Sequence, residues 1–534
     1  MFMKKILLSI IVLCFCAMSN AQTYTVGTDV QKKNVLLEEY TGLNCGHCPE
    51  GHIVAKTLLN SMPGHAFAVN IHTGTFATPS SDEPDYRIAE GDSLGDYFKS
   101  EEAGYPSASV NRYDFDNEDF YLQGRSTWIS SAETIRNQYA PVNLYVKSVY
   151  DGSNNTLTVH VEGYFTMKSQ EADQRINVIL TQDYIKGYQN GSSLSYDYIH
   201  MHMLRDFISP LWGDVIDSPA QGKYFSKDYT YVMPESINDV KLKQEDINVI
   251  AFVTVGKTDV QNVEGGKPEY VNYAEQMSGE LSAPDIPIGV HYGYNYFEVK
   301  VKNNSSKQLT SAVFKVTVND VTTEKTVECS VNPFELSQVI VPATYSFNEK
   351  GKAKYSITLI KMNDEAVTSD TLSGSFSKPI ETNNTVQLKF TTDYKASQNR
   401  FMLKDGDGNI IKEYGPYEDG SSTAVDETIN NLEEGKTYCF EITDSWGDGI
   451  FDGVSGSLIT HTGAGKLIDQ FYRISDFGTR SFFKSTTSDG IEDINKDNSN
   501  NHNIYTIDGR KVNNGSANLQ KGIYIKDGKT VVIK

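Results

Sequence analysis

The chain has 534 residues, too many for one hydrophobic core, so several domains are expected. With 69 acidic against 48 basic side chains it carries a formal charge of −21, which excludes the basic face that nucleic-acid binding needs. Six cysteines in a chain this long exclude a small disulfide scaffold.

Residues 1–21 read as a secretory signal. Lys4 and Lys5 form a basic start, Ile6 to Ala17 is an apolar run, and Ser19-Asn20-Ala21 offers small residues for cleavage before Gln22. Leu13 precedes Cys14 and Phe15 precedes Cys16, so neither cysteine follows the small residue of a lipobox, and soluble export is expected rather than lipidation. No other stretch is long and apolar enough for a transmembrane helix. Cys45, Cys48, Cys329 and Cys439 then remain.

The segment Asn34 to Met62 predicts a strand, a turn and a helix. Asn34 to Tyr40 is a short apolar run, Thr41 to Asn44 a turn, and Val54, Leu58 and Met62 recur at helical spacing with Ala55 and Leu59 beside them. Cys45-Gly46-His47-Cys48 falls at the helix start. There the unpaired N–H groups and partial positive charge favour a thiolate on Cys45, and Cys48, one turn in, can resolve a mixed disulfide. A structural disulfide and half of a zinc site are the alternatives; the second would need two more ligands, and no second C-x-x-C exists. Further on, Ala66 to Ile71 predicts a strand, Asp85 to Lys99 a helix, Ala108 to Asn111 a strand and Ser126 to Tyr139 a closing helix.

This order, with C-x-x-C between strand and helix, resembles the thioredoxin fold. The resemblance implies that Pro106, in Gly104-Tyr105-Pro106-Ser107, is a cis-proline facing the two cysteines across a substrate groove. It makes Cys45 the nucleophile, Cys48 the resolving thiol and His47 a tuner of the potential. The Gly46-His47 dipeptide is the one found in protein disulfide isomerases. Asn44 stands where many thioredoxins have Trp, and an insertion is expected around Gly74 to Pro84. The expected domain is 22–140. It needs no cofactor, and its partners would be exported thiol or disulfide proteins.

From Pro141 the period changes to two: Leu157, Val159 and Val161 alternate with Thr158, His160 and Glu162. With Ile176 to Leu180 and Val249 to Val255, residues 141–282 are expected to form an antiparallel β-sandwich with one long excursion. In it His200 and His202 would share a strand face, as half of a metal site or as a packed, hydrogen-bonded pair. Residues 283–385 alternate again (Phe297, Val299, Val301; Phe314, Val316, Val318) and suggest an immunoglobulin-like sandwich, with Cys329 a packed or free thiol.

Residues 386–488 hold Asp405-Gly406-Asp407-Gly408-Asn409 and Asp444-Ser445-Trp446-Gly447-Asp448-Gly449, with Asp452-Gly453 after it. With Tyr414 to Tyr417 between them, these turns resemble a β-sandwich module common in exported bacterial proteins. Asp444, Asp448 and Asp452 could bind calcium; alternatively Asp and Gly simply supply turns. The EF-hand pattern fails, because Tyr414, Gly415 and Pro416 stand where its closing Glu would be.

A polar linker, 489–502, leads to Gly509-Arg510-Lys511-Val512 and Lys521-Gly522-Ile523-Tyr524-Ile525. Residues 503–534 resemble the C-terminal sorting domain of type IX secretion cargo in Bacteroidetes, which implies recognition by the secretion machinery; a terminal hairpin docked on the sandwich before it is the alternative. The whole chain resembles the Omp-twenty-eight-type outer-membrane proteins of Bacteroidetes. The expected architecture is multidomain α/β plus all-β. The protein is expected at the outer membrane or cell surface, or secreted. Its expected function is thiol–disulfide exchange, or non-enzymatic surface binding and adhesion with the thioredoxin-like domain as a structural module.

Overall fold

The computed structural model describes residues 25–168, 173–192, 195–420, 422–445, 450, 456–460, 467–471 and 478–486, and the strands of the last segment. The expected signal segment, 1–21, lies outside the described residues.

The N-terminal half is built on one long sheet. Its elements are β1 (Val35–Thr41), α1 (Cys48–Ser61), β2 (Ala66–His72), α2 (Ala89–Phe98), β3 (Ser107–Val110), β4 (Gln123–Gly124), α3 (Trp128–Arg136), β5 (Val142–Asp151), β6 (Thr156–Phe165), β7 (Gln174–Gln182), β8 (Ile185–Gly187), β9 (Tyr198–His200), β10 (Met203–Phe207), β11 (Tyr224–Val232), β12 (Ile247–Val255) and β13 (Thr258–Gly266). The sheet runs β13-β12-β7-β10-β2-β1-β3-β4, with Asp214–Val215 also on β7. β1 lies parallel to β2 from Val35↔Ala66 to Thr41↔His72 and antiparallel to β3 from Leu37↔Val110 to Tyr40↔Ser107.

Period-two alternation assigns the faces of β1. Val35 and Leu37 pack under α1 and α3 with Val54, Leu58, Trp128 and Ile135. Leu36 and Tyr40 pack on the other face under α2, with Leu94 and Phe98. Helices thus cover both faces of this end of the sheet, which is why β1 is buried throughout.

The expected boundary at 140/141 is a change of element type and not a seam. β10 joins β2 through Met203↔Asn70, and the Asn70 amide donates to the His202 carbonyl at 2.8 Å. Ile179, Ile250 and Phe252 pack in the same cluster as Leu36 and Tyr40, whereas Val178, Leu180, Val249 and Val253 face a second sheet. That second sheet, β11-β6-β5 with Glu269–Val271 at its edge, completes the sandwich. The buried Arg112 ties the two parts: its Nε and Nη2 donate to Glu38 at 2.7 and 2.6 Å on one side of the boundary, and its Nη1 donates to the Lys257 carbonyl at 3.1 Å on the other.

Beyond it, Gly279–Ser282, Tyr296–Asn303 and Leu336–Pro342 form a three-stranded sheet facing a five-stranded one that includes Leu309–Val318 and Lys352–Met362. Gly279–Ser282 pairs with Tyr296–Asn303, so this unit begins before the expected residue 283. Phe390 stacks on Phe401 at 4.2 Å in the core of the next two-sheet sandwich. Arg480 of that sandwich pairs with Glu441 at 2.6 Å and with Glu298 of the preceding unit at 2.7 Å. In the last segment Lys511–Val512, Ile504–Thr506, Gly522–Lys526 and Lys529–Ile533 form a four-stranded sheet in that order.

Candidate functional site at the start of the first helix

Cys48 is the first residue of α1, with Pro49 in the first turn, Glu50 as its acidic residue and His47 at the N-cap. Proline suits that position because its missing N–H is one the helix leaves unpaired anyway. Cys45 and Cys48 are joined in a disulfide. Cys45 is 2% exposed and Cys48 0%, whereas Gly46 and His47 between them are exposed. His47 makes no capping hydrogen bond, and its Nδ1 lies 3.5 Å from Glu50 Oε1. Glu50 also pairs with Arg125, just ahead of α3.

The Tyr105–Pro106 peptide is cis, and Pro106 faces the first turn of α1. The contact is close because residue 51 is glycine: a Cβ there would come within 2.9 Å of Pro106 Cβ and 2.4 Å of Glu39 Oε1. Gly51 therefore lets the proline and a carboxyl from β1 approach the same helical turn. Phe76, 44% exposed, packs edge-on against Tyr105 at 5.6 Å beside them, in the expected insertion.

Glu39 is the residue that sequence reasoning missed. It is 0% exposed and neither carboxyl oxygen has a hydrogen bond. Burial alone pushes its pKa well above the usual carboxylate range, so it is held as the neutral acid. The available signal was an acid inside the apolar strand that leads into C-x-x-C.

The excursion between β7 and β10 returns to this site. Gln189 Nε2 donates to the carbonyls of Cys45 at 3.0 Å and Gly42 at 3.3 Å. The Asn190 amide donates to Leu43 O at 2.8 Å and its side chain to Asn44 O at 3.1 Å. Gly191, at φ +82°, lies so near Gly46 that a Cβ would sit 2.0 Å from the Gly46 carbonyl oxygen. This loop covers Cys45.

His200 and His202 do not share a strand face: β9 ends at His200, and His202 adopts φ +54°, which breaks the alternation. His200 turns inward, donating from Nε2 to Tyr188 O at 3.1 Å, while His202 Nδ1 pairs with Asp183 at 3.1 Å. Among the described residues no group of three or more His, Cys, Asp or Glu side chains is arranged to hold a metal. Asp444 is buried at the end of the strand Thr437–Asp444; Asp448 and Asp452 lie outside the described residues. In the earlier Asp/Gly turn the Asp405 carboxylate accepts from the amides of Asp407 and Asn409, both at 2.9 Å, closing the loop on itself. Cys329 and Cys439 are free thiols, and burial pushes Cys439 up to about 12.

The family model of the outer membrane protein Omp28 matches residues 92–270. That segment starts within α2 and ends just past β13, so it contains Pro106 and the excursion but neither Cys45 nor Cys48. The match places the protein at the outer membrane or cell surface. Among the described residues no helix is long and apolar enough to cross a membrane. No curated protein matches the chain. Among solved structures it is similar to HBP35 of Porphyromonas gingivalis, at 16% identity and TM-score 0.37 over 59% of this chain and 99% of that one. It is also similar to a domain of the outer membrane lipoprotein Omp28 from the same organism, at 20% identity and TM-score 0.18 over 24% and 90%.

Proposed function

We propose that this surface protein exchanges thiols and disulfides with other exported proteins through Cys45 and Cys48, on a thioredoxin-like end of the long sheet. The observation that carries the reading is the convergence of three groups on one helical turn: the disulfide, Pro106, and the buried neutral Glu39. A structural disulfide has no need of an unpaired buried acid, which costs on the order of 1–3 kcal/mol to keep.

The chemistry follows. A partner thiolate attacks Cys45 Sγ, the Cys45–Cys48 bond breaks, and the electron pair leaves on Cys48 Sγ. Glu39 supplies the proton that neutralises that buried sulfur. The partner's second thiolate then attacks its own sulfur in the mixed disulfide and releases Cys45, oxidising the partner dithiol and reducing the chain. Run backwards, the Glu39 carboxylate takes the Cys48 proton and a partner disulfide is reduced. The helix N-terminus favours the thiolate on Cys45. Pro106 and the exposed Phe76, which packs against Tyr105, would flank an extended partner segment bound there.

Equilibration against glutathione buffers tests this: one two-electron couple should appear in the native protein and vanish in Cys45→Ser. A binding or adhesion protein is the second reading. The burial of Cys45 under Gln189 and Asn190 favours it, and so does the absence of both cysteines from the matched family segment. Residues 503–534 act in delivery by the secretion machinery on either reading; deletion should abolish surface protease accessibility. Calcium binding through Asp444, Asp448 and Asp452 would show as a lower melting temperature with chelator.

A further inference from the structure

The exchange chemistry leaves unused a set of buried rings beneath the disulfide. His52 lies on α1 one turn beyond Cys48 and is held from two sides. Its Nε2 is 3.0 Å from Thr41 Oγ1 and 3.8 Å from Glu39 Oε1, both on β1. Its Nδ1 is 2.7 Å from the hydroxyl of Tyr198, which the excursion brings in on β9. Glu39 itself has no hydrogen bond, so a ring nitrogen a fraction of an ångström beyond bonding distance is the group placed to answer a charge on it.

We propose that His52 is a positioning residue for the proton of Glu39: with Tyr198 donating to Nδ1, Nε2 carries the hydrogen and turns from Thr41 to the Glu39 carboxylate whenever Glu39 has given its proton to Cys48. The inference rests on the exchange reading above. It adds that the excursion between β7 and β10, through Tyr198, sets the reactivity of Cys48.

The surroundings fit a neutral donor. His200 faces His52 at 6.4 Å between ring centroids, and His72 faces His200 at 5.4 Å. Burial first, then His200 and His202, push the His52 pKa down to about 3. Burial likewise lowers His72 and takes His200 to about 4. His202 is the exception, its pKa raised by Asp183 against burial. A neutral imidazole with one hydrogen can stabilise a transient carboxylate without itself changing charge.

The test is the two-step reaction of the reduced full chain with 5,5′-dithiobis(2-nitrobenzoate), the disulfide-intact chain being the blank for Cys329 and Cys439. The first release of chromophore is attack by Cys45; the second is attack by Cys48 on the mixed disulfide, which needs Glu39 as a carboxylate. His52→Leu should slow the second phase about tenfold near neutral pH and move its pH limb up by about one unit, leaving the first phase unchanged. Tyr198→Phe, which removes one oxygen, should shift the limb the same way by less. In a Glu39→Gln background neither change should add anything. An unshifted limb in both single variants, or an equal shift in the Glu39→Gln background, overturns the inference. A native chain that gives no second release at all overturns the exchange reading instead.

Discussion

Replacing Glu39 by Gln keeps the side chain's shape and removes its titration. The carboxyl is fully buried without a hydrogen bond, and burial raises its pKa well above the ordinary range. In the unfolded chain a glutamate loses its proton near ~4.3. Between that pH and the higher folded value the folded state holds a proton that the unfolded state has lost. Stability is therefore fully present below ~4.3 and falls as pH rises through the folded pKa, by ~1.4 kcal/mol for each pH unit of that window. For a unit the size of the long sheet and its partner sheet, each kcal/mol corresponds to about 2–4 °C in melting temperature. Calorimetry of the full chain at pH steps from 4.5 to 7.5 should show the N-terminal transition falling with pH in the native protein. In Glu39→Gln the fall should be shallower by this slope, with the curves meeting at the acid end. Parallel curves would refute the reasoning, because they would mean that Glu39 is ionised in the folded state or reaches water.

Arg112→Met should destabilise the same transition by ~3–5 kcal/mol in urea titration, since it strands the buried Glu38 carboxylate; a loss below ~1 kcal/mol would mean that Glu38 finds another partner. Gln189→Ala removes the hydrogen bonds to the Cys45 and Gly42 carbonyls, so dithiothreitol should reduce the disulfide several-fold faster; an unchanged rate would show that the loop does not limit access. The redox potential should lie nearer the disulfide-isomerase value of about −180 mV than the thioredoxin value of about −270 mV. His47→Pro should make it more reducing, and a native potential at or below thioredoxin's would remove the role given to His47.

The strand–turn–C-x-x-C–helix unit was legible because a short apolar run gives way, across a turn and the cysteines, to apolar residues at helical spacing, and the elements fall within a few residues of the expected ones. The unity of the long sheet was not. Ile176 to Leu180 and Val249 to Val255 were expected as strands and are mostly apolar, and both faces of β7 and β12 are buried. The run cannot tell which sheet supplies the second face. Here the link is one residue pair, Met203↔Asn70, which leaves no periodic signal. His200 and His202 looked like neighbours on a strand face, and a single positive φ at His202 sent them to different partners. Glu39 was hidden in a second way: an acid in a strand ordinarily marks a solvated face, and its burial comes from α1 crossing over it at Gly51, a contact remote in sequence.

The central claim is that Cys45 and Cys48 react with other proteins from the folded chain. It is tested most directly by insulin reduction with dithiothreitol as electron source, comparing the native chain with Cys45→Ser. The account predicts that the native protein accelerates insulin precipitation and that Cys45→Ser falls to the uncatalysed rate. Equal rates for both, with neither cysteine alkylated by iodoacetamide after dithiothreitol treatment unless the chain is unfolded, would contradict it and leave a buried structural disulfide in a surface-binding protein.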